Sequence, residues 1–152
     1  MTACPHYEDD YWFRSNLSIC LGMDYPTEHP EEVDWPLFRE RLEDWRRLAP
    51  LFYGDYYPLM SWSIARDALL AWQFDRPDLG QGIVQVFRRQ KSSVEAARFP
   101  LHGLDANALY RVTNLDDRDH PNEVSAKELL EAGLRVTFDQ PRQAVALVYE
   151  RI

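Results

Sequence analysis

The chain has 152 residues, of which 45% are apolar and 13% aromatic, and carries a net charge of −8. That length supplies one domain, or a small domain plus part of another, and enough apolar surface to bury a core without staples, which excludes a disordered chain. The acidic balance repels a phosphate backbone and excludes nucleic acid as an expected partner.

The N-terminal MTACPHYEDD is acidic and has no apolar stretch, so no signal peptide is expected. No apolar run reaches the ~20 residues that a membrane span needs, so no membrane is expected as a partner. Two cysteines, Cys4 and Cys20, are too few for a disulfide framework and fit no metal knuckle. Together these features suggest a reducing, cytoplasmic setting. The cluster Glu8-Asp9-Asp10 reads as a solvated loop. Residues 11–23, YWFRSNLSICLGM, mix rings with β-branched residues and read as a strand entering a loop; Cys20, at its end, reads as a small core residue. Residues 24–33, with two prolines and four acids, read as a surface loop.

The clearest helix covers residues 34–49. Asp34 can cap it and Pro36 sits in the first turn, where a missing N–H costs nothing. Trp35, Phe38, Leu42, Trp45 and Ala49 share one face, and Arg39, Glu40, Glu43, Asp44, Arg46 and Arg47 the other. Pro50 ends the helix. A face with two tryptophans and a phenylalanine must pack against something large: a sheet layer, the N-terminal segment or a second copy of the chain.

FYGDYYPLMSWS (52–63) follows, five rings around a turn. It reads either as a sugar-binding platform or as a packed joint between layers, with Asp55 bonding to local backbone N–H groups. The period then changes from 3.6 to 2. Residues 68–75 (ALLAWQFD) and 82–89 (GIVQVFRR) form a hairpin around RPDLGQG, whose far end, Arg88-Arg89-Gln90-Lys91, reads as solvated. AARFPL (96–101) and LYRVTNL (109–115) add strands, and DDRDHPNE reads as a charged loop. Ser125 and Glu128 fit a capping box for a short helix that Gly133 ends. LRVTFD (134–139) and QAVALVYE (143–150) are the last two strands. Six strands with short connections predict a mainly β protein, an antiparallel β-sandwich.

Signals for chemistry are few. His6, His29, His102 and His120 show no ligand spacing, so no metal or cofactor is expected. There is no G-x-S-x-G elbow, and Gly80-Gln81-Gly82 precedes a strand, not a helix, which fails the context of a phosphate cradle. Glycoside hydrolysis needs two acids facing one bond; Asp9 and Asp10, adjacent on an extended strand, point apart and cannot clamp it unaided.

Several segments together resemble one family. DYWFRSNLSICLGMD, DWPLFRERLEDWRRLAPLFYGDYYPL, DALLAWQFDRPDLGQGIVQVFRR and ELLEAGLRV look like the C-terminal part of bacterial α-galactosidases, the melibiase-like enzymes of glycoside hydrolase family 36. YGDYYPL and AWQFDRPDLGQGIVQVFRR are the most specific pieces, and the resemblance runs from about residue 9 to the end. It implies a C-terminal sandwich (residues 61–152) preceded by a strand-helix remnant of a (β/α)8 barrel and an aromatic joint (residues 1–60). It also implies that the two catalytic aspartates of such enzymes lie on barrel strands with no match here. The expectations are then no catalytic residue in this chain and structural support of a barrel acting on α-galactosides, with an upstream barrel segment or a second copy as partner. Tyr11, Trp12, Arg14 and Ser15 sit nearest to where a barrel loop could contact substrate. The alternative is a free-standing carbohydrate-binding or interaction module with a galactoside ligand, using rings such as Trp12, Tyr53, Tyr57 and Trp62.

Overall fold

A computed structural model describes residues 2–3, 7–23 and 28–152. The expectations for Cys4, His6 and residues 24–27 lie outside the described residues. The centre is a six-stranded sheet of order β3-β4-β5-β10-β7-β8, antiparallel throughout. Its strands are β3 (Asp55–Pro58), β4 (Leu69–Arg76), β5 (Gln81–Arg88), β7 (Leu109–Asn114), β8 (Asp117–Ser125) and β10 (Gln143–Arg151). A two-stranded sheet of β6 (Ala96–Phe99) and β9 (Leu134–Thr137), with helix α3 (Ala126–Glu131), covers the inner face. The outer face carries the N-terminal segment: β1 (Thr2–Ala3), α1 (Asp10–Ser15), β2 (Leu21–Gly22) and α2 (Trp35–Leu48). The chain is thus mainly β and antiparallel, but its main sheet is covered on both faces.

That double cover explains the burial of β5. A strand with one wet face alternates; every residue from Gly82 to Arg88 is buried. Val84 and Val86 enter the inner core with Leu69, Ala71, Val145 and Leu147, whereas Ile83 enters the outer core with Leu48, Leu51 and Phe52. The β4–β5 turn follows its residues. Pro77 sits at the second position, Leu79 N–H donates to Arg76 O (3.0 Å), and Gly80 takes φ +63°. Arg76 forks onto Asp78 (2.8 and 2.7 Å), which locks the turn from outside. Arg88 is not part of a solvated end. It is buried and donates to Ser92 O and Gln140 O (2.9 and 3.0 Å), leaving the charge of that stretch to Arg89 and Lys91.

Helix α2 forms as its residues predict. Asp34 Oδ1 accepts from Leu37 N–H (3.0 Å), and Pro36 is in the first turn. After Leu48 the chain tightens into a 3₁₀ turn, Ala49–Tyr53. The ring-bearing face is covered by the N-terminal segment and the sheet: Tyr7 meets Phe38 edge-on (5.2 Å), and Trp45 Nε1 donates to Ser18 O (2.9 Å). Asp44 departs from its expected solvent face. It is buried, and it accepts Arg118 Nη2 on both oxygens (2.8 Å each) and Arg47 (3.0 Å).

Three further readings are corrected. Residues 10–15 are a helix, not a strand, because Asp9 caps it. Cys20 is exposed, not in the core. All of DDRDHPNE but its first residue, Asp116, lies within β8, an edge strand exposed along almost all its length, so no apolar alternation marks it. Helix α3 has its expected Ser125 cap, with Glu128 N–H donating to Oγ (3.2 Å), and Gly133 follows it at φ +84°. Among the described residues no helix is long and apolar enough to cross a membrane.

Candidate functional site

Helix α1 holds the four residues expected to contact substrate. Asp9 Oδ1 accepts from Trp12 N–H (3.1 Å) and fixes where the helix starts; Phe13 then drops into the outer core. Tyr11 meets Phe87 edge-on (5.5 Å), and Phe87 stacks on Trp72 (4.9 Å). On its other side Tyr11 carries the Arg142 guanidinium, 4.2 Å from the ring centre, and Arg142 donates to Asp9 Oδ2 (2.9 Å). A continuous stack of rings and one arginine therefore pins α1 to the sheet. Burial pushes the Asp9 carboxyl up, but the Arg142 bond and charge and the Trp12 N–H outweigh it and hold it below the usual range. Burial raises the Tyr11 phenol, against the opposing charges of Arg89 and Arg142.

Arg14 is the most committed side chain of the four. It is buried, donates to Ala144 O (2.6 Å) and forks onto Asp116, with Nη1 at 2.9 Å from Oδ2. Its own carbonyl accepts from buried Gln85 Nε2 (3.0 Å). Burial works against its charge, but the Asp116 bonds win and keep the guanidinium protonated. Tyr11 and Arg14 share a polar cavity of about 460 Å³ with Asp9, Asp10 and Asp116. Trp12 and Ser15 are exposed and do not line it; Ser15 Oγ donates back to Trp12 O (2.9 Å). Asp9 meets Arg142, Asp10 meets Arg41, and Asp116 meets Arg14. The expected solvated loop at Glu8-Asp9-Asp10 is thus a cap and two ion pairs. A carboxylate already bound to a guanidinium is a weak nucleophile and a weak base, so these three acids serve to hold α1 in place; the fourth acid lining the cavity, Asp139, is exposed.

The rings of 52–63 divide into two sets. Phe52 is buried and meets Phe74 edge-on (5.1 Å); Tyr57 stacks on His102 (5.1 Å). Tyr53, Tyr56 and Trp62 are exposed, by 68%, 56% and 81%. The corner is thus filled by Phe52, with Tyr56 of β3 tilted against the same Phe74 ring (5.2 Å), while the faces of Tyr53, Tyr56 and Trp62 remain largely open. Asp55 is not caught in a turn but lies on β3, opposite Asp75 of β4. Among the described residues no group of three or more His, Cys, Asp or Glu converges to hold a metal.

A buried polar network under the inner sheet escaped the sequence reading. Gln73 Nε2 donates to Tyr149 OH (2.7 Å), which donates to Asp75 Oδ1 (2.6 Å). Parity could have revealed it: Gln73 and Asp75 fall on the same face of β4 as the core residues Leu69 and Ala71.

The sequence profile of the glycosyl hydrolase family 36 C-terminal domain matches residues 69–149, just over half of the chain. No curated protein sequence is a significant match. Among solved structures, the fold is similar to family 36 α-galactosidase AgaA of Geobacillus stearothermophilus, at TM-score 0.72 and 17% identity over 93% of this chain and 19% of that one. It is also similar to the α-galactosidase of Lactobacillus brevis, at TM-score 0.67 and 20% identity over 87% of this chain and 18% of that one. A third likeness is to the galactosidase domain of an α-galactosidase-sucrose kinase, at TM-score 0.64 and 18% identity over 87% of this chain and 18% of that one. The chain thus spans less than a fifth of the length of these structures. It belongs to the glycosyl hydrolase family 36 C-terminal domain family.

Proposed function

We propose that the chain is the C-terminal, non-catalytic segment of an α-galactosidase-like glycoside hydrolase, and that it supports a catalytic barrel acting on α-galactosides. The observation that carries this reading is the pairing of Asp9, Asp10 and Asp116 with arginines in the cavity at α1, in a chain that covers only 18–19% of its structural neighbours. Residues 61–152 form the sandwich in this reading, and residues 1–60 the end of the barrel with its aromatic joint. The parallel pairing of β1 with β2 ahead of α2 supports that origin, since barrel strands run parallel. Strand β3 is then the stitch by which the first portion enters the sheet of the second. The open rings Tyr53, Tyr56 and Trp62 are the surface that an upstream barrel segment, or a second copy, covers. Tyr11, Trp12, Arg14 and Ser15 place α1 at the substrate side of that contact, with Trp12 reaching outward and Arg14 holding the helix in place. The setting is cytoplasmic in this reading.

The test is an assay of the isolated chain on nitrophenyl α-galactoside, in which no turnover is expected. Turnover abolished by Asp10→Asn overturns the reading. A second reading, a free-standing carbohydrate-binding module, is favoured by the exposure of Trp62 and Tyr53. Saturable quenching of Trp fluorescence by raffinose, lost in Trp62→Ala, selects it over the scaffold.

A further inference from the structure

Asp75, near the end of β4 on the inner face, is 2% exposed. Its Oδ1 accepts from Tyr149 OH, as described above. The direction of that bond is fixed from the far end of the network. Gln73 spends its oxygen on His102 N–H (2.9 Å), and its amide nitrogen donates to His102 O (2.8 Å) and to Tyr149 OH. Tyr149 must therefore give its own hydrogen to Asp75. The other carboxyl oxygen, Oδ2, is buried with no hydrogen-bond partner, alone in this among the buried side-chain polar atoms of the described residues. Gly103 closes it off. That residue has φ +75°, and a Cβ there would stand 2.5 Å from Oδ2.

An ionised carboxylate in this place leaves charge on a buried oxygen that no protein group donates to, which is costly. The charged neighbours do not relieve it. Asp55 on β3 and Asp78 in the turn are acids, and Arg76 is forked onto Asp78. Arg151 of β10 lines the same small cavity of about 160 Å³, but its ion pair is with Asp105 (3.6 Å). The other titratable groups beside the cavity or Gly103 are Tyr57 of β3, Tyr110 of β7 and His102, whose ring stacks on Tyr57. Burial first, then the charges of Asp55 and Asp78, push the Asp75 carboxyl above its usual range, against the opposing Tyr149 bond.

We propose that Asp75 is a proton-binding site: in the folded chain Oδ2 keeps a hydrogen taken from solvent at pH values where exposed carboxyls have lost theirs, so the network that fastens the loop at 101–105 is uncharged. A folded acid with a raised pKa stabilises the fold fully below its unfolded value. That contribution is lost as pH rises through the folded value. Deprotonation thus places an unpaired charge against Gly103, and destabilises the loop at 101–105 that carries the His102–Tyr57 stack.

The test compares wild type with Asp75→Asn, which keeps an oxygen for Tyr149 and puts an N–H where the orphan oxygen stood. The infrared carbonyl band of a protonated carboxyl is expected to persist in wild type above the range where surface acids ionise, and to be absent from the variant. The urea midpoint of wild type is expected to fall across that range relative to a level variant. A band that disappears together with those of the surface acids, or identical pH profiles, overturns the proposal. So does a calcium- or sodium-dependent rise in midpoint seen in wild type alone, since that shows an ionised oxygen holding a metal. If Asp75→Asn does not fold, carboxyl ¹³C shifts of wild type carry the test: one aspartate that titrates after the others is expected, and its absence overturns the proposal.

Discussion

The two faces of the central sheet are held by different physics. On the inner face, Leu129, Ala126, Leu134, Val136 and Phe138 close over Val84, Val86 and Leu147 in a contiguous apolar cluster. On the outer face, apolar contact is interleaved with arginine: Arg14 to Asp116 and Ala144 O, Arg41 to Asp10 and Tyr7 O, Arg118 to Asp44, Arg142 to Asp9, Arg76 to Pro50 O. An apolar cluster is insensitive to salt and to mild acid. A set of partly exposed ion pairs is sensitive to both. The inner layer should therefore be the slow-exchanging core and the outer layer the part that opens first.

The sharpest break of this contrast is Leu129→Ala, which removes a fully buried side chain of the inner cluster and should cost about 2–5 kcal/mol, read as a lower urea midpoint for the whole chain. Arg14→Ala should cost about 2 kcal/mol, because it leaves the Ala144 carbonyl and the Asp116 carboxylate short of a partner. Its signature is faster amide exchange in α1 with the β6–β9 layer unchanged; loss of protection in both layers alike would refute the division. Acid should distinguish the layers by sign. The Asp9 carboxyl lies below its usual range, so its contribution is present above the unfolded value and is lost as pH falls through the folded one; Asp9→Asn should remove that loss. Acidification should thus speed exchange at α1 while the loop at 101–105 stays protected. The smallest effect belongs to Trp62→Ala, at 81% exposure: within ~0.5 kcal/mol of wild type in the isolated chain.

The same contrast explains which parts were legible in the sequence. Helix α2, the β4–β5 hairpin and α3 announce themselves through local devices: Asp34 and Pro36, Pro77 and Gly80, Ser125 and Gly133. Helix α1 resembles a strand in sequence because Tyr11, Trp12 and Phe13 have β-prone rings, and its start rests on one short-range cap from Asp9. Strand β8 looks like a loop in sequence because its wet edge position leaves no alternating pattern to find. The candidate site was less legible still. The sequence singles out Tyr11 and Arg14, but the partners that define their environment, Phe87, Asp116, Arg142 and Ala144, lie between 76 and 131 residues away. Nothing local records such a meeting. Asp44 and Gln85 show the same limit, since a polar residue bound to a distant partner looks like any surface residue until the chain closes.

Strand β3 has a practical corollary for anyone trimming this chain. It is four residues long, begins before position 60, and shields half of one margin of the sheet by pairing Asp55–Pro58 with Trp72–Asp75. A shortened version that starts at Ser61 would bare those positions too and leave all eight residues of β4 as a naked template for another chain. Such a fragment should clump where the longer chain stays dispersed, so the natural place to cut lies ahead of Gly54.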